Sequence, residues 1–373
     1  MDITKLVRKN CQDFAPYIAG KPIEEIKREL KLRQVVKLAS NENNLGPSPL
    51  AVRAIKKNAP KVYAYPDSNS FALKQVLAKK YDIPANSIFT AAGGDEIIEI
   101  LGKLFFSPGD EIIISKHSFI RYEMAVKLMD AKAVVVPMAD GFVQNLDAML
   151  AKCSPKTKAI FITNPNNPTG TYNDCAAFEN FLQNVPVSQD GQSPLIILDE
   201  AYFEYAAMMP DYPNGLDYIR RYKNLIVFRT FSKAYALAGM RVGYGFANPE
   251  IVDYIERIRP PFNVNSLASA AACASLTDKN QVKRTQKLIK AEKNYLYKKF
   301  EKLDIDFIDT AANFIMFSVP NLMGKELFKM LLEKGVIIRS LDEYELREWA
   351  RVSIGLHSEN KFFIKKLKEV IRK

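Results

Sequence analysis

The stretch LIVFRTFSKAYALAGMRVGYGF, residues 225–246, sets two short apolar runs, 225–228 and 242–246, around a polar connection. A continuous β-rich run of this length suits a strand buried on both faces, and such strands belong to largely parallel sheets. Ligands of those sheets lie beyond the carboxyl ends of the strands. Directly after 225–228 come Arg229, Thr230, Phe231, Ser232 and Lys233, with Arg241 eight residues on. A lysine just past a buried strand can be desolvated, which lowers its pKa until the neutral amine attacks a carbonyl.

The same kind of run recurs at 88–91, 111–115, 133–136, 159–163 and 195–198. Between the runs, 95–106 and 119–129 carry apolar residues at helical spacing. Strands alternating with helices predict an α/β unit, a mostly parallel sheet with helices on both sides. Past Pro260 and Pro261 the pattern changes to a long Lys-rich helix at 280–300. Short strands at 314–318, 336–339 and 351–354 and a basic helix from Glu359 come after it, which predicts a smaller α+β domain. An amphipathic helix at 22–30 opens the chain. The expected division is a segment 1–38 packing on the small domain or a partner subunit, a large domain 39–262 and a small domain 263–373. The insert PVSQDGQSP at 186–194 reads as a surface loop.

Composition narrows the chemistry. With 48% hydrophobic and 25% charged residues, the 373-residue chain has the balance of a globular protein with real cores. Its net charge of +11 is spread along the whole length, which suits a local site for anionic small molecules better than a nucleic-acid footprint. Four cysteines without CxxC spacing read as reduced core residues, so no metal site is expected and a cytoplasmic setting is. No apolar leader or 18-residue apolar stretch is present, so no membrane partner is expected. Only two histidines occur, so lysine, carboxylates, tyrosine or a cofactor must do the hard chemistry.

The residues after the other runs fit that demand. Gly93, Gly94 and Asp95 come after 88–91 and open a helix, where free amides and the helix dipole favour a phosphate. The turn NPNNPTG, residues 164–170, comes after 159–163 and offers Asn amides. Asp199 ends the run 195–198, with Glu200, Ala201 and Tyr202 behind it; a carboxylate there is costly unless a cation answers it. A phosphate cradle, an aspartate, an Asn turn, a lysine and an arginine at one sheet edge match the needs of pyridoxal 5'-phosphate. Its aldehyde takes an amine, its ring nitrogen a carboxylate and its phosphate amides and a cation. A dinucleotide-binding reading fails for want of GxGxxG after the first strand.

At these residues the sequence resembles the fold type I pyridoxal-phosphate aminotransferases and, more narrowly, their histidinol-phosphate subgroup. The resemblance runs almost end to end, through PYIAGKPIEEIKREL, LASNENNLGPSP, YAYPD, AAGGDEII, HSFIRYEM, TNPNNPTG, LDEAYFEY, RTFSKAYALAGMRVGYG, RPPFNVNSLA, AANFIMF and RVSIG. It implies that Lys233 holds the cofactor aldehyde and moves the α-proton, and that Asp199 holds the pyridinium. Asn167 and Tyr202 would bond the ring hydroxyl oxygen, and Phe119 would stack on the ring. Backbone at Gly94 and Asp95, with Thr230, Ser232 and Arg241, would bind the cofactor phosphate, joined by Tyr65 from the other subunit of a homodimer. Arg351 would clamp a substrate carboxylate, with Arg339 and Asn41 as further substrate-site residues. The implied reaction is transamination of L-histidinol phosphate with 2-oxoglutarate in histidine biosynthesis. Rivals of the same fold are an aromatic-amino-acid or phenylpyruvate aminotransferase and a threonine-phosphate decarboxylase.

Overall fold

The computed structural model describes residues 1–12, 14, 23–189 and 191–371. Helix α1 (Ile23–Leu30) leads into a two-residue strand, β1 (Val36–Lys37), and then to α2 (Pro49–Asn58) and α3 (Phe71–Tyr81). The alternating region begins with β2 (Ile88–Ala91), α4 (Gly94–Phe105), β3 (Glu111–Ser115), α5 (Arg121–Leu128) and β4 (Lys132–Val136). It continues with α6 (Leu146–Ala151), β5 (Thr157–Thr163), α7 (Cys175–Gln183), β6 (Leu195–Asp199), α8 (Phe203–Ala206), β7 (Leu225–Thr230) and β8 (Gly243–Phe246). Every apolar run predicted as a strand of the large sheet is one. Pro22, the expected first residue of α1, and Asp190 of the 186–194 loop lie outside the described residues.

The seven strands form one sheet in the order β2-β8-β7-β6-β5-β3-β4. Neighbours from β7 to β4 pair in parallel, while β8 runs antiparallel to both β7 and β2. The reversal has a local cause. The connection from β7 to β8 holds only a single 3-10 turn at Ala238–Met240, too short for the helical crossover that a parallel return requires.

Side chains alternate between two buried faces. Phe161, Ile197 and Phe228 pack with Ile97 and Leu101 of α4 on one face. Ile160, Ile196, Leu198 and Val227 pack with Phe178 of α7 on the other. Because the period is two, Asp199 falls on the face of Ile197 and Glu200 on the opposite one. Thr163 is the register partner of Asp199, so β5 and β6 end side by side.

Helices α9 (Pro249–Ile258) and α10 (Ser266–Thr277) pack back on the large sheet; Ala268, Ala271 and Ala272 of α10 join Leu73, Ile88 and Tyr244. Helix α11 (Gln281–Glu301) begins the second unit, with β9 (Asp306–Phe307), β10 (Phe314–Ser318), α12 (Gly324–Glu333), β11 (Val336–Ile337), β12 (Arg339–Ser340), β13 (Trp349–Ser353) and α13 (His357–Ile371). Its sheet is antiparallel, ordered β12-β13-β10-β9. The single strand expected at 336–339 is two, because β11 pairs with β1 from the chain's start while β12 pairs with β13. No helix among the described residues is long and apolar enough to cross a membrane.

Candidate active site

A cavity of about 710 Å³ opens where the carboxyl ends of β5, β6 and β7 meet the second unit. Asn41, Gly94, Asp95, Phe119, Asn167, Asp199, Tyr202, Thr230, Ser232, Lys233, Arg241, Arg339 and Arg351 all line it. Of the site residues that the resemblance implies, Tyr65 alone lies elsewhere. It is 84% exposed and stacks on Phe262 at 4.8 Å, beside a shallow cleft formed with Tyr63 and Asn265.

At the head of α4, Gly93 has φ +94°, and a Cβ there would stand 2.6 Å from Arg241 Nη2. Glycine is required for the guanidinium to lie against this backbone. Arg241 is itself left-handed (φ +54°) and donates from Nη1 to the Ala238 carbonyl at 3.1 Å and to Ser232 Oγ at 3.4 Å. Its Nη2 is 3.9 Å from Asp95 Oδ2. Thr230 Oγ1 accepts from the Ser232 amide at 3.1 Å. Two hydroxyls, a guanidinium and a helix N-terminus thus converge as an anion cradle.

Asp199 is buried. Its Oδ2 accepts from Tyr122 Oη at 2.6 Å and its Oδ1 from the Ala201 amide at 2.9 Å. Burial pushes its pKa up to about 6, with the charges of Asp95 and Glu200 in the same sense and the two hydrogen bonds opposing. Among the described residues no cation pairs with it. Lys233 is half-buried and donates to the Ser40 carbonyl at 3.1 Å. Desolvation, reinforced by the charges of Arg351 and Arg241, brings its pKa down to about 8. Among the described residues no carboxylate pairs with it.

The remaining groups come from both units. Tyr202 Oη accepts from Asn41 Nδ2 at 2.8 Å, which leaves its own proton free to donate. Asn41 is held in a left-handed turn by the Ser353 hydroxyl on its amide and by Asn313 on its carbonyl. Arg351, 6% exposed, donates from Nη1 to Asn167 Oδ1 and from Nη2 to the Ala39 carbonyl at 3.0 Å. Its buried Nε has no hydrogen-bond partner among the described residues. Arg339 reaches the cavity but is gripped by both carboxylate oxygens of Glu343. In the turn 164–170, Asn164 and Asn166 brace the turn itself, through the Asn173 and His117 carbonyls, so Asn167 is the one of the three that lines the cavity. His117 and Trp349 do not line it.

Two cavity neighbours carried no signal of their own. Tyr122 sits three residues past Phe119 and reads as a core aromatic, and Thr163 reads as a strand end; only the fold joins them to Asp199.

The architecture and this edge define a fold type I transferase, built to hold an anionic group and present an amine. The chain belongs to the aminotransferases of class I and II, whose family profile matches residues 33–367. It is 44% identical over 365 residues to the histidinol-phosphate aminotransferase of Moorella thermoacetica, covering 98% of this chain and 92% of that protein. It is 40% identical over 366 residues to the histidinol-phosphate aminotransferase of Caldicellulosiruptor saccharolyticus, covering 98% and 100%. Among solved structures, the histidinol-phosphate aminotransferase of Sinorhizobium meliloti in complex with pyridoxal-5'-phosphate superposes with a TM-score of 0.88 at 25% identity, covering 98% and 97%.

Proposed function

We propose that the chain is a pyridoxal-5'-phosphate-dependent transaminase that converts L-histidinol phosphate and 2-oxoglutarate to imidazole-acetol phosphate and L-glutamate, a step of histidine biosynthesis. The observation that carries the reading is one juxtaposition. A buried carboxylate without a cation and an amine without a carboxylate line one cavity, beside an anion cradle. Those residues fit the cofactor: Asp199 lacks the positive partner a ring nitrogen offers, and the Gly93–Arg241 contact leaves a cationic floor for a phosphate.

When bound, pyridoxal phosphate supplies an aldehyde that captures an amine and a ring that accepts the electron pair released at Cα. Lys233 would hold the aldehyde in the resting protein and, once released, would take and return the proton at Cα. With a pKa of about 8, about a tenth of its amine is neutral at pH 7, roughly 300-fold more than for an ordinary lysine. Asp199 holds the proton at the ring nitrogen. Tyr202 Oη and Asn167 Nδ2 would donate to the ring hydroxyl oxygen, and Phe119 would cover the ring face. Amides of Gly94 and Asp95, with Thr230, Ser232 and Arg241, hold the phosphate. Arg351 would clamp the carboxylate of the 2-oxo acid, a fork geometry that lysine cannot imitate. Arg339 and Asn41 complete the substrate wall.

The protein acts as a cytoplasmic homodimer in this reading, with Tyr65 reaching the cofactor phosphate of the partner subunit; the exposure of Tyr65 outside its own cavity supports it. Titrating the holoenzyme with single amines while monitoring the visible absorbance of the cofactor tests the substrate. Histidinol phosphate and glutamate should bleach it at low concentration. Bleaching by phenylalanine or threonine phosphate in preference to both would overturn the substrate assignment.

A further inference from the structure

Asp199 does not stand alone beneath the cavity. Thr163 Oγ1 donates to Tyr122 Oη at 2.9 Å, and Tyr122 Oη donates to Asp199 Oδ2 at 2.6 Å. Since the Tyr122 oxygen already accepts from Thr163, its proton is directed to the carboxylate, and such chains strengthen each link. The geometry is imposed by the fold: Thr163 and Asp199 are register partners on β5 and β6, and Tyr122 enters from α5 in the next layer. The tyrosine ring is itself fixed, stacked on Phe161 at 4.6 Å and 16° and edge-on to Phe119 at 5.8 Å. All three groups are buried, and burial keeps the phenol protonated, hence a donor, far above neutral pH.

We propose that Tyr122, oriented by Thr163, is a positioning residue that fixes the Asp199 carboxylate and makes it a weaker base, so that the shared proton resides on the cofactor's ring nitrogen and not on Asp199. The inference rests on the role proposed for Asp199 in transamination. A carboxylate that loses a buried donor becomes more basic. Asp95, Glu200, Tyr202 and Tyr212 also bear on Asp199, and the cations that line the same cavity, Lys233, Arg241 and Arg351, form no ion pair with it among the described residues. The hydrogen bond from Tyr122 is therefore a principal force holding the proton off the carboxylate.

The test uses holoenzyme loaded with cofactor labelled with ¹⁵N in the ring. In the wild type the ring-nitrogen resonance should be that of a protonated pyridine at neutral pH. In Tyr122→Phe, which keeps the stacked ring, the balance should move toward proton on Asp199 by about tenfold or more, the effect of one lost hydrogen bond to a charged group. Thr163→Val should move it less, and Thr163→Ser, which keeps the hydroxyl, should restore the wild-type resonance. If Tyr122→Phe takes up no cofactor, the ¹³C titration of the Asp199 carboxyl in the cofactor-free protein decides, with its midpoint expected to rise by about one pH unit or more. A ring resonance in Tyr122→Phe equal to the wild type, or an unmoved Asp199 midpoint where no cofactor binds, overturns the proposal. An unprotonated ring nitrogen in the wild type would instead overturn the assigned role of Asp199, so the two failures are distinguishable.

Discussion

An aspartate that ends a fully buried strand costs several kcal/mol unless its charge is answered. Asp199 is answered by two donors and, among the described residues, by no cation, while Lys233 keeps its amine unpaired a few side chains away. A structural ion pair would have joined them; the site withholds that pairing. Asp199→Asn should therefore lower the rate by orders of magnitude and cofactor affinity far less, because an amide of the same shape cannot hold the ring nitrogen protonated. Comparing kcat with the cofactor dissociation constant checks this, and a variant that keeps most of its rate removes Asp199 from the role. Residues of this kind were legible in the sequence because a charge after a buried run breaks the burial pattern: Asp199 and Lys233 announce themselves so. Arg241 stands just before the run 242–246, and Arg351, at the head of 351–354, came only from the family resemblance. Tyr122 and Thr163 do not announce themselves, since a tyrosine at helical spacing and a threonine at a strand end satisfy the core pattern. Arg339 likewise came from the resemblance, and its partner Glu343 is set by a local turn that the resemblance did not supply.

At the scale of elements, six strands of the large sheet were readable because burial on both faces makes them continuous apolar runs, and the edge strand β4, with Val135 exposed, was readable from its β-branched run alone. The two-residue strands β1 and β9 were not, since two residues carry no periodicity, and β11 and β12 were legible only as one strand at 336–339. The pairing of β1 with β11 joins Val36 to Val336, a contact no local rule provides. The packing of α10 against α2 and α3 leads us to propose that the boundary between the units falls just before α11, not at 262. Beneath the site, Glu200 pairs in full burial with Arg229 on the neighbouring strand at 2.7 Å, while Glu204 on α8 lies buried with neither carboxylate oxygen hydrogen-bonded among the described residues. Burial pushes Glu204 up to about 7, with Arg229 and Lys80 opposing. A carboxyl whose folded pKa lies above its unfolded one stabilises the protein at low pH and loses that contribution as pH rises between the two values. Glu204→Gln should thus gain stability relative to the wild type as pH rises from about 4.5 to about 7, by at most about 1.4 kcal/mol per pH unit, and the gap should be flat above. Denaturant midpoints of both proteins across pH 4–9 measure it; parallel profiles would mean that Glu204 stays charged or finds a partner.

For the whole molecule, the net charge of +11 suits anionic substrates, and the two units close one cavity with groups from both: Asp199 and Lys233 from the large sheet, Arg351 and Asn41 from the second unit's side. The chain alone leaves Tyr65 unused. If two copies share sites, mixing Lys233→Ala protein with an inactive Tyr65→Ala protein should restore about a quarter of full activity, since half the dimers are mixed and one of their two sites is intact. No recovery after demonstrated subunit exchange would place Tyr65 outside any site. Everything in the cavity is arranged around one amine that both holds the cofactor and moves the Cα proton, and the decisive quantity is the turnover of L-histidinol phosphate by Lys233→Ala. The prediction is no measurable turnover in a folded protein that still retains cofactor through its phosphate and Asp199. Turnover near the wild-type rate would contradict it.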